Sequence, residues 1–156
     1  MKHISQVAVL GSGTMGSGIA CHLANVGLKV LLLDLQNEDE SKGGKNHIAD
    51  ISLKKAIKSK PAPLYKNEFA RRISTGNFED DLSKIEDCDW IIEVIVENLD
   101  IKNDLFEKVE KHRKEGTIVS SNTSGIPIHL MSKERSEDFQ KHFCGTHFFN
   151  PPRYLR

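Results

Sequence analysis

Val7-Ala8-Val9-Leu10-Gly11-Ser12-Gly13-Thr14-Met15-Gly16 is a short apolar run that passes without a break into a glycine turn. Met15, Ile19, Leu23 and Val26 then recur at offsets of four, four and three, one stripe of a helix that Gly27 can end. Strand, glycine turn and helix in that order form the fingerprint of a dinucleotide-binding β-α-β unit. The first glycine permits the tight turn, the second admits a diphosphate to the backbone, and the third lets helix and strand approach. The ligand's charge would meet the unpaired N–H groups at the start of the helix. Gly11, Ser12, Gly13, Thr14, Met15 and Gly16 are therefore candidate cofactor contacts. A glycine pattern alone is as readily a structural turn; its placement between strand and helix favours the binding reading.

The second apolar run, Lys29 to Leu33, ends at Asp34, 18 residues beyond Gly16. A carboxylate there can accept hydrogen bonds from ribose hydroxyls, and it would repel a 2′-phosphate. Leu35, Gln36, Asn37 and Glu38 supply no arginine to offset it, so NAD is expected in preference to NADP. Further strands are expected at Trp90–Val96, Thr117–Ser120 and Phe143–Phe148, with a weaker candidate at Ile73–Thr75. Ile101, Leu105, Phe106 and Val109 mark another helix, with Asp100 placed to cap it. Strands alternating with helices predict an α/β fold, a doubly wound Rossmann-type sheet, mainly parallel. Positions 37–72 exceed a minimal β-α-β connection and read as a helical insertion after the second strand, broken at Lys60-Pro61-Ala62-Pro63.

The chain has 156 residues, enough for one domain, with 22 Lys/Arg against 22 Asp/Glu. That balance gives no global field for nucleic acid or an anionic membrane. It conceals two opposed segments. Residues 41–72 hold nine Lys/Arg against two acids, and residues 79–110 hold twelve acids against three lysines. Cys21, Cys88 and Cys144 are odd in number and lack a Cys-x-x-Cys pair, which disfavours a disulfide framework and a metal site and makes the cytoplasm the default compartment. The first apolar run is too short for a signal-peptide core or a membrane span.

In an open α/β sheet the ligand crevice lies outside the carboxyl ends of the strands. Glu97-Asn98, Ser121-Asn122-Thr123-Ser124, His147 and Asn150 all fall at such ends and are expected to share one crevice with the glycine turn. His147 can act as a base, since imidazole titrates near neutrality. An isolated core histidine is the bland alternative. Glu97 and Lys102 can approach the nicotinamide half of a dinucleotide or form an ordinary surface ion pair. Ser124 offers a hydroxyl to a substrate or serves as helix-cap chemistry before Ile126–Met131.

With these motifs in order, the chain resembles the L-3-hydroxyacyl-CoA dehydrogenases of fatty-acid β-oxidation. The resemblance rests on Gly11-Ser12-Gly13-Thr14-Met15-Gly16-Ser17-Gly18-Ile19-Ala20, Val96-Glu97-Asn98-Leu99 with Lys102, Ser121-Asn122-Thr123-Ser124 and His147-Phe148-Phe149-Asn150-Pro151. It implies NAD contacts at Met15, Asp34, Ile95, Val96, Glu97, Lys102, Ser124 and Asn150. It implies His147 as the catalytic base, with Ser124 reaching the substrate. It also implies that a helical hairpin after the second strand lies near coenzyme A, which singles out Ser52 and Lys58 in Ser52-Leu53-Lys54-Lys55-Ala56-Ile57-Lys58 as acyl-CoA contacts. The ending Asn150-Pro151-Pro152-Arg153-Tyr154-Leu155 resembles a subgroup with the dehydrogenase first and an enoyl-CoA hydratase module after it. In the family, a glutamate orienting the histidine and a helical substrate and dimerisation domain lie beyond the position of Arg156. The expectation is thus an isolated NAD-binding domain, residues 1–156, of an oligomeric enzyme, able to bind NAD and nearly inactive alone. Two other readings remain open: the cofactor domain of another NAD-dependent hydroxy-acid dehydrogenase, and a non-catalytic NAD-sensing or assembly module.

Overall fold

The computed structural model describes residues 3–155; Met1, Lys2 and Arg156 of the expected 1–156 domain lie outside the described residues. Six strands form one parallel sheet in the order β3-β2-β1-β4-β5-β6, where β1 is Gln6–Leu10, β2 Lys29–Asp34, β3 Ile73–Asn77, β4 Trp90–Glu93, β5 Ile118–Ser121 and β6 Phe143–Gly145. The chain reverses its direction of travel across the sheet between β1 and β4, the switch point at which this doubly wound topology opens a crevice.

Side chains alternate across each strand, so β1 serves two cores at once. Val7 and Val9 face α1 (Thr14–Asn25) with Ile19, Ala20 and Leu23, while Ala8 and Leu10 face Leu105, Phe106 and Val109 of α3 (Leu99–His112). Both faces are covered, which is why β1 and β2 read as continuous apolar runs. Gly27, with φ +98°, ends α1 as its place in the sequence requires.

Several boundaries differ from expectation. The Trp90–Val96 run stops as a strand at Glu93, because the Glu93 carboxylate accepts the N–H of Ile95 at 2.7 Å and draws it off the ladder. The Phe143–Phe148 run stops at Gly145, and the Phe148 N–H is taken by Asn122 Oδ1 at 2.8 Å. Asn98, not Asp100, caps α3 by accepting the N–H of Ile101 at 3.1 Å. The weak candidate near Ile73 is a full strand at the sheet edge. The last expected helix is a single short α4, Ile128–Ser132, delayed by Pro127.

The 37–72 insertion contains one α-helix, α2 (His47–Ile57), and not a helical hairpin. Pro61 and Pro63 cannot continue a helix, so the chain returns through turns and bends and coils again only into a 3-10 turn at Asn67–Arg72. Leu53 and Leu64 carry the insertion onto the α1 face of the core.

Candidate functional site

The glycine turn is built by exclusion of side chains. Gly11 has φ +104°, and a Cβ on it would lie 2.6 Å from the carbonyl oxygen of Val94. A Cβ on Gly16 would lie 1.8 Å from the carbonyl oxygen of Gly11, so only glycine lets α1 begin so close to β1. Gly13 differs: a Cβ there meets nothing within 4 Å. Its open face borders a cleft of about 580 Å³, walled by the turn, by α2 and by residues 150–153. No side chain caps the start of α1, which leaves its first N–H groups to a ligand. An open glycine and an uncapped helix beside a cleft fit the diphosphate of a dinucleotide.

Asp34 at the end of β2 is fixed rather than free. Its Oδ2 accepts from both the N–H and the hydroxyl of Ser12 at 2.5 Å, and its Oδ1 accepts from the N–H of Leu35 at 2.7 Å. Oδ1, with a single donor, keeps a further lone pair for a ribose hydroxyl. Ser12 thus links the diphosphate turn to the expected ribose acceptor, a coupling that the one-dimensional motif does not display.

Ser52 lines the cleft together with Lys55 and Lys60, whereas Lys58 does not. Lys55 is one turn beyond Ser52 on the same helix face, and a six-residue step to Lys58 falls on another.

At the far side of the switch point, Lys102 is neither at the surface nor in a surface ion pair. Its side chain is 1% exposed, and its Nζ lies 2.6 Å from Oε1 of Glu93, itself 0% exposed, and 3.4 Å from Oε2 of Glu97. Glu93 also accepts the Ser121 hydroxyl at 2.5 Å. Sequence reasoning missed Glu93; the signal available was a lone acid inside the apolar run Trp90-Ile91-Ile92-Glu93-Val94-Ile95-Val96, with a lysine nine residues on. Glu97 turns its Oε1 to the Thr123 hydroxyl at 2.5 Å and to the N–H groups of Ser124 and Gly125, both at 3.0 Å. Burial opposes its charge, but those three donors and the nearby Lys102 outweigh it and hold the carboxyl at about 2. Ile95 packs on the core, and Val96 is exposed beside it.

Ser124 follows β5 and His147 follows β6, and their side chains meet: Ser124 Oγ is 3.1 Å from His147 Nε2. Both border a recess of about 320 Å³ with Gly145 and Pro127. The candidate residues therefore line two recesses on the same carboxyl edge and not one crevice. Residues 145–153 border both, because this segment runs back from the edge strand towards α1. Phe148 packs into the α1 core, the Pro152 ring lies 3.1 Å from where a Gly18 Cβ would be, and Arg153 donates to the carbonyls of Ala62 and Leu64 at 2.6 and 3.0 Å. Asn150 lies in this segment on the glycine-turn side.

Known proteins resemble this chain over nearly all of its residues. Residues 6–156 match the family model described as "3-hydroxyacyl-CoA dehydrogenase, NAD binding domain". A Bacillus subtilis (strain 168) protein named "Probable 3-hydroxyacyl-CoA dehydrogenase" is 53% identical, over 99% of this chain and 21% of its own length. The mitochondrial hydroxyacyl-coenzyme A dehydrogenase of Homo sapiens is 40% identical over 95% of this chain and 47% of its own. The crystal structure of 3-hydroxybutyryl-CoA dehydrogenase from Escherichia coli K12 superposes with a TM-score of 0.72 at 28% identity, covering 98% of this chain and 31% of that one. The chain thus spans less than half the length of these relatives. With the glycine turn, the fixed Asp34 and a match over nearly all its residues, the chain belongs to the NAD-binding domain family of the 3-hydroxyacyl-CoA dehydrogenases.

Proposed function

We propose that this domain serves an enzyme that oxidises the 3-hydroxyl of an L-3-hydroxyacyl-CoA to a ketone, with His147 as general base. The observation that carries the reading is the contact of Ser124 Oγ with His147 Nε2 at the carboxyl edge of the sheet that bears the glycine turn. NAD, when bound, supplies the acceptor for the hydride that leaves the substrate carbon. With Nε2 unprotonated, the Ser124 hydroxyl donates to it, and a substrate hydroxyl can take the same acceptor. Nε2 then receives the substrate proton while Ser124 Oγ holds the substrate oxygen. Glu97 keeps the Ser124 backbone in place through its N–H. Gly13, Thr14 and the start of α1 hold the diphosphate, Asp34 the ribose, and Ile95, Val96 and Asn150 flank the dinucleotide.

Ser52, Lys55 and Lys60 line a wall of the glycine-turn cleft, where cationic and hydroxyl groups suit the phosphates of an acyl-CoA. This is the feature that favours an acyl-CoA over a small hydroxy acid. A hydratase module attached to the same polypeptide accords with the likeness to a Rickettsia felis protein named "Putative fatty acid oxidation complex trifunctional enzyme", 43% identical over 99% of this chain. The free thiols of Cys21, Cys88 and Cys144 accord with a reducing compartment, the cytoplasm.

Titration calorimetry with NAD and NADH tests the cofactor reading, and no heat at millimolar dinucleotide rejects it. Hydrogen exchange of residues 52–60 with and without acyl-CoA tests the substrate class. Protection there is expected, and its absence in a domain that still binds NAD returns the reading to a small hydroxy acid.

A further inference from the structure

Glu93 has no part in the reaction just described, yet it is fully enclosed where the two halves of the sheet meet. Three donors converge on it: Lys102 Nζ at 2.6 Å, the Ile95 N–H at 2.7 Å and the Ser121 hydroxyl at 2.5 Å. Lys102 is the only basic side chain ion-paired to it among the described residues, and that same ammonium lies 3.4 Å from Glu97. Two carboxylates therefore share one cation, for a formal charge of −1. The charges differ in where they sit. Glu93 and Lys102 are sealed from water, while Glu97 is 45% exposed and bonded to the backbone of Ser124, which in turn touches His147.

This geometry has a consequence for a dinucleotide whose reacting ring is cationic when oxidised and neutral when reduced. If Glu93 did not neutralise Lys102, the ammonium would cancel Glu97 and the edge would carry no net charge. Resting on the cofactor reading above, we infer that Glu93 is a positioning residue that occupies Lys102 and so leaves Glu97 as one net negative charge beside the reacting end of the dinucleotide, favouring the oxidised form over the reduced one. Glu93 needs no contact with the ligand to do this. Its charge acts through Lys102.

The test is the ratio of dissociation constants, Kd for NAD over Kd for NADH, measured by calorimetry on the 156-residue chain. Glu93→Gln and Glu97→Gln each bring the cluster from −1 to zero, and each should raise the ratio roughly three- to tenfold, the Coulomb scale for one charge near a partly solvated site. The double variant Glu93→Gln/Lys102→Met removes both buried charges, restores −1 through Glu97 alone, and should return the ratio to within about twofold of the unaltered protein. Exchanging a buried ion pair for neutral groups is the change best tolerated by the fold. If Glu93→Gln does not fold, Glu93→Met, which likewise leaves Lys102 unneutralised, carries the same test and should raise the ratio to the same extent. A merely structural role would weaken both forms equally; an unchanged ratio, or one that the double variant fails to restore, overturns the inference. Failure of the unaltered chain to bind either form is a separate result, which overturns the cofactor reading and this inference with it.

Discussion

Ser124 Oγ lies 3.1 Å from His147 Nε2, joining the loop after β5 to the loop after β6 across 23 residues of sequence. Under the proposed function, a substrate hydroxyl binds beside this contact and Nε2 is the nitrogen that receives its proton. His147→Gln keeps a polar side chain but removes the base. Turnover of a 3-hydroxyacyl-CoA by the enzyme carrying this domain should fall by roughly 10² to 10⁴ in kcat. Ser124→Ala should cost less, about tenfold, because it removes one hydrogen bond and leaves the base. Steady-state kinetics checks both, and a His147→Gln enzyme with near-normal kcat ends the proposal of a histidine base.

Gly13 and Gly16 lie three residues apart in sequence and differ in what surrounds them. A Cβ at position 16 collides with the Gly11 carbonyl at 1.8 Å, a backbone atom that cannot swing aside, whereas position 13 is open. Gly16→Ala should therefore destabilise the fold by several kcal/mol, on the order of other severe steric substitutions. Gly13→Ala should melt within a few degrees of the unaltered protein yet bind NAD at least about tenfold more weakly, because its methyl occupies the diphosphate approach. Thermal melts and calorimetry on the two variants separate the effects. Equal loss of stability in both would mean that the open face of Gly13 is an illusion of the fold at rest.

The bonds between Asp34 and Ser12 predict graded losses. Asp34→Ala removes the ribose acceptor and also frees the Ser12 N–H and hydroxyl, both held by Oδ2. NAD should weaken roughly 10- to 100-fold, the scale of one to two charge-assisted hydrogen bonds, and the preference for NAD over NADP should shrink because the repelling carboxylate has gone. Ser12→Ala deletes only the hydroxyl contact and should weaken NAD a few-fold, about the value of one neutral hydrogen bond. Calorimetry with both dinucleotides reads all four constants. An Asp34→Ala protein that still rejects NADP as strongly would place the discrimination elsewhere.

What could be read along the chain was local or periodic. The β1-α1-β2 unit announced itself through continuous apolar runs, a helical stripe and glycines with distinct steric tasks, and Asp34 through its place after a strand. The six-stranded sheet followed from the same periodicity. The misreadings all turn on side chains that act across space. Ile95 and Val96 have strand-forming side chains, but the Glu93 carboxylate captures the Ile95 N–H and ends β4 early. Lys102 on a polar helix reads as a surface residue, because its buried partner shows in the sequence only as one acid inside an apolar run nine residues before it. The path of residues 145–153 between the two recesses rests in part on Arg153, which donates to the carbonyls of Ala62 and Leu64 some 90 residues away, a contact that no local pattern announces.

Glu97 gives the domain a pH dependence with a defined sign. Burial favours the neutral acid, but hydrogen bonds from Thr123, Gly125 and Ser124, with the charge of Lys102, bring the carboxyl from its ordinary 4.5 to about 2. Between those values the folded protein binds fewer protons at this site than the unfolded chain, so stability rises with pH there. The contribution is complete above about pH 5 and is lost as the pH falls towards 2. With 45% of the side chain exposed, solvent screening brings its expected size to about 1 kcal/mol, well short of the unscreened linkage value. Glu97→Gln can keep an oxygen acceptor for the three donors but has no proton to gain. Its melting temperature should lie a few degrees below that of the unaltered protein at pH 7, and the gap should narrow steadily from pH 5 downwards. Paired thermal melts across that range make the comparison, since the other acids titrate in both proteins and cancel in the difference. A gap that stays constant down to pH 3 would mean that Glu97 matters for its shape and not for its charge.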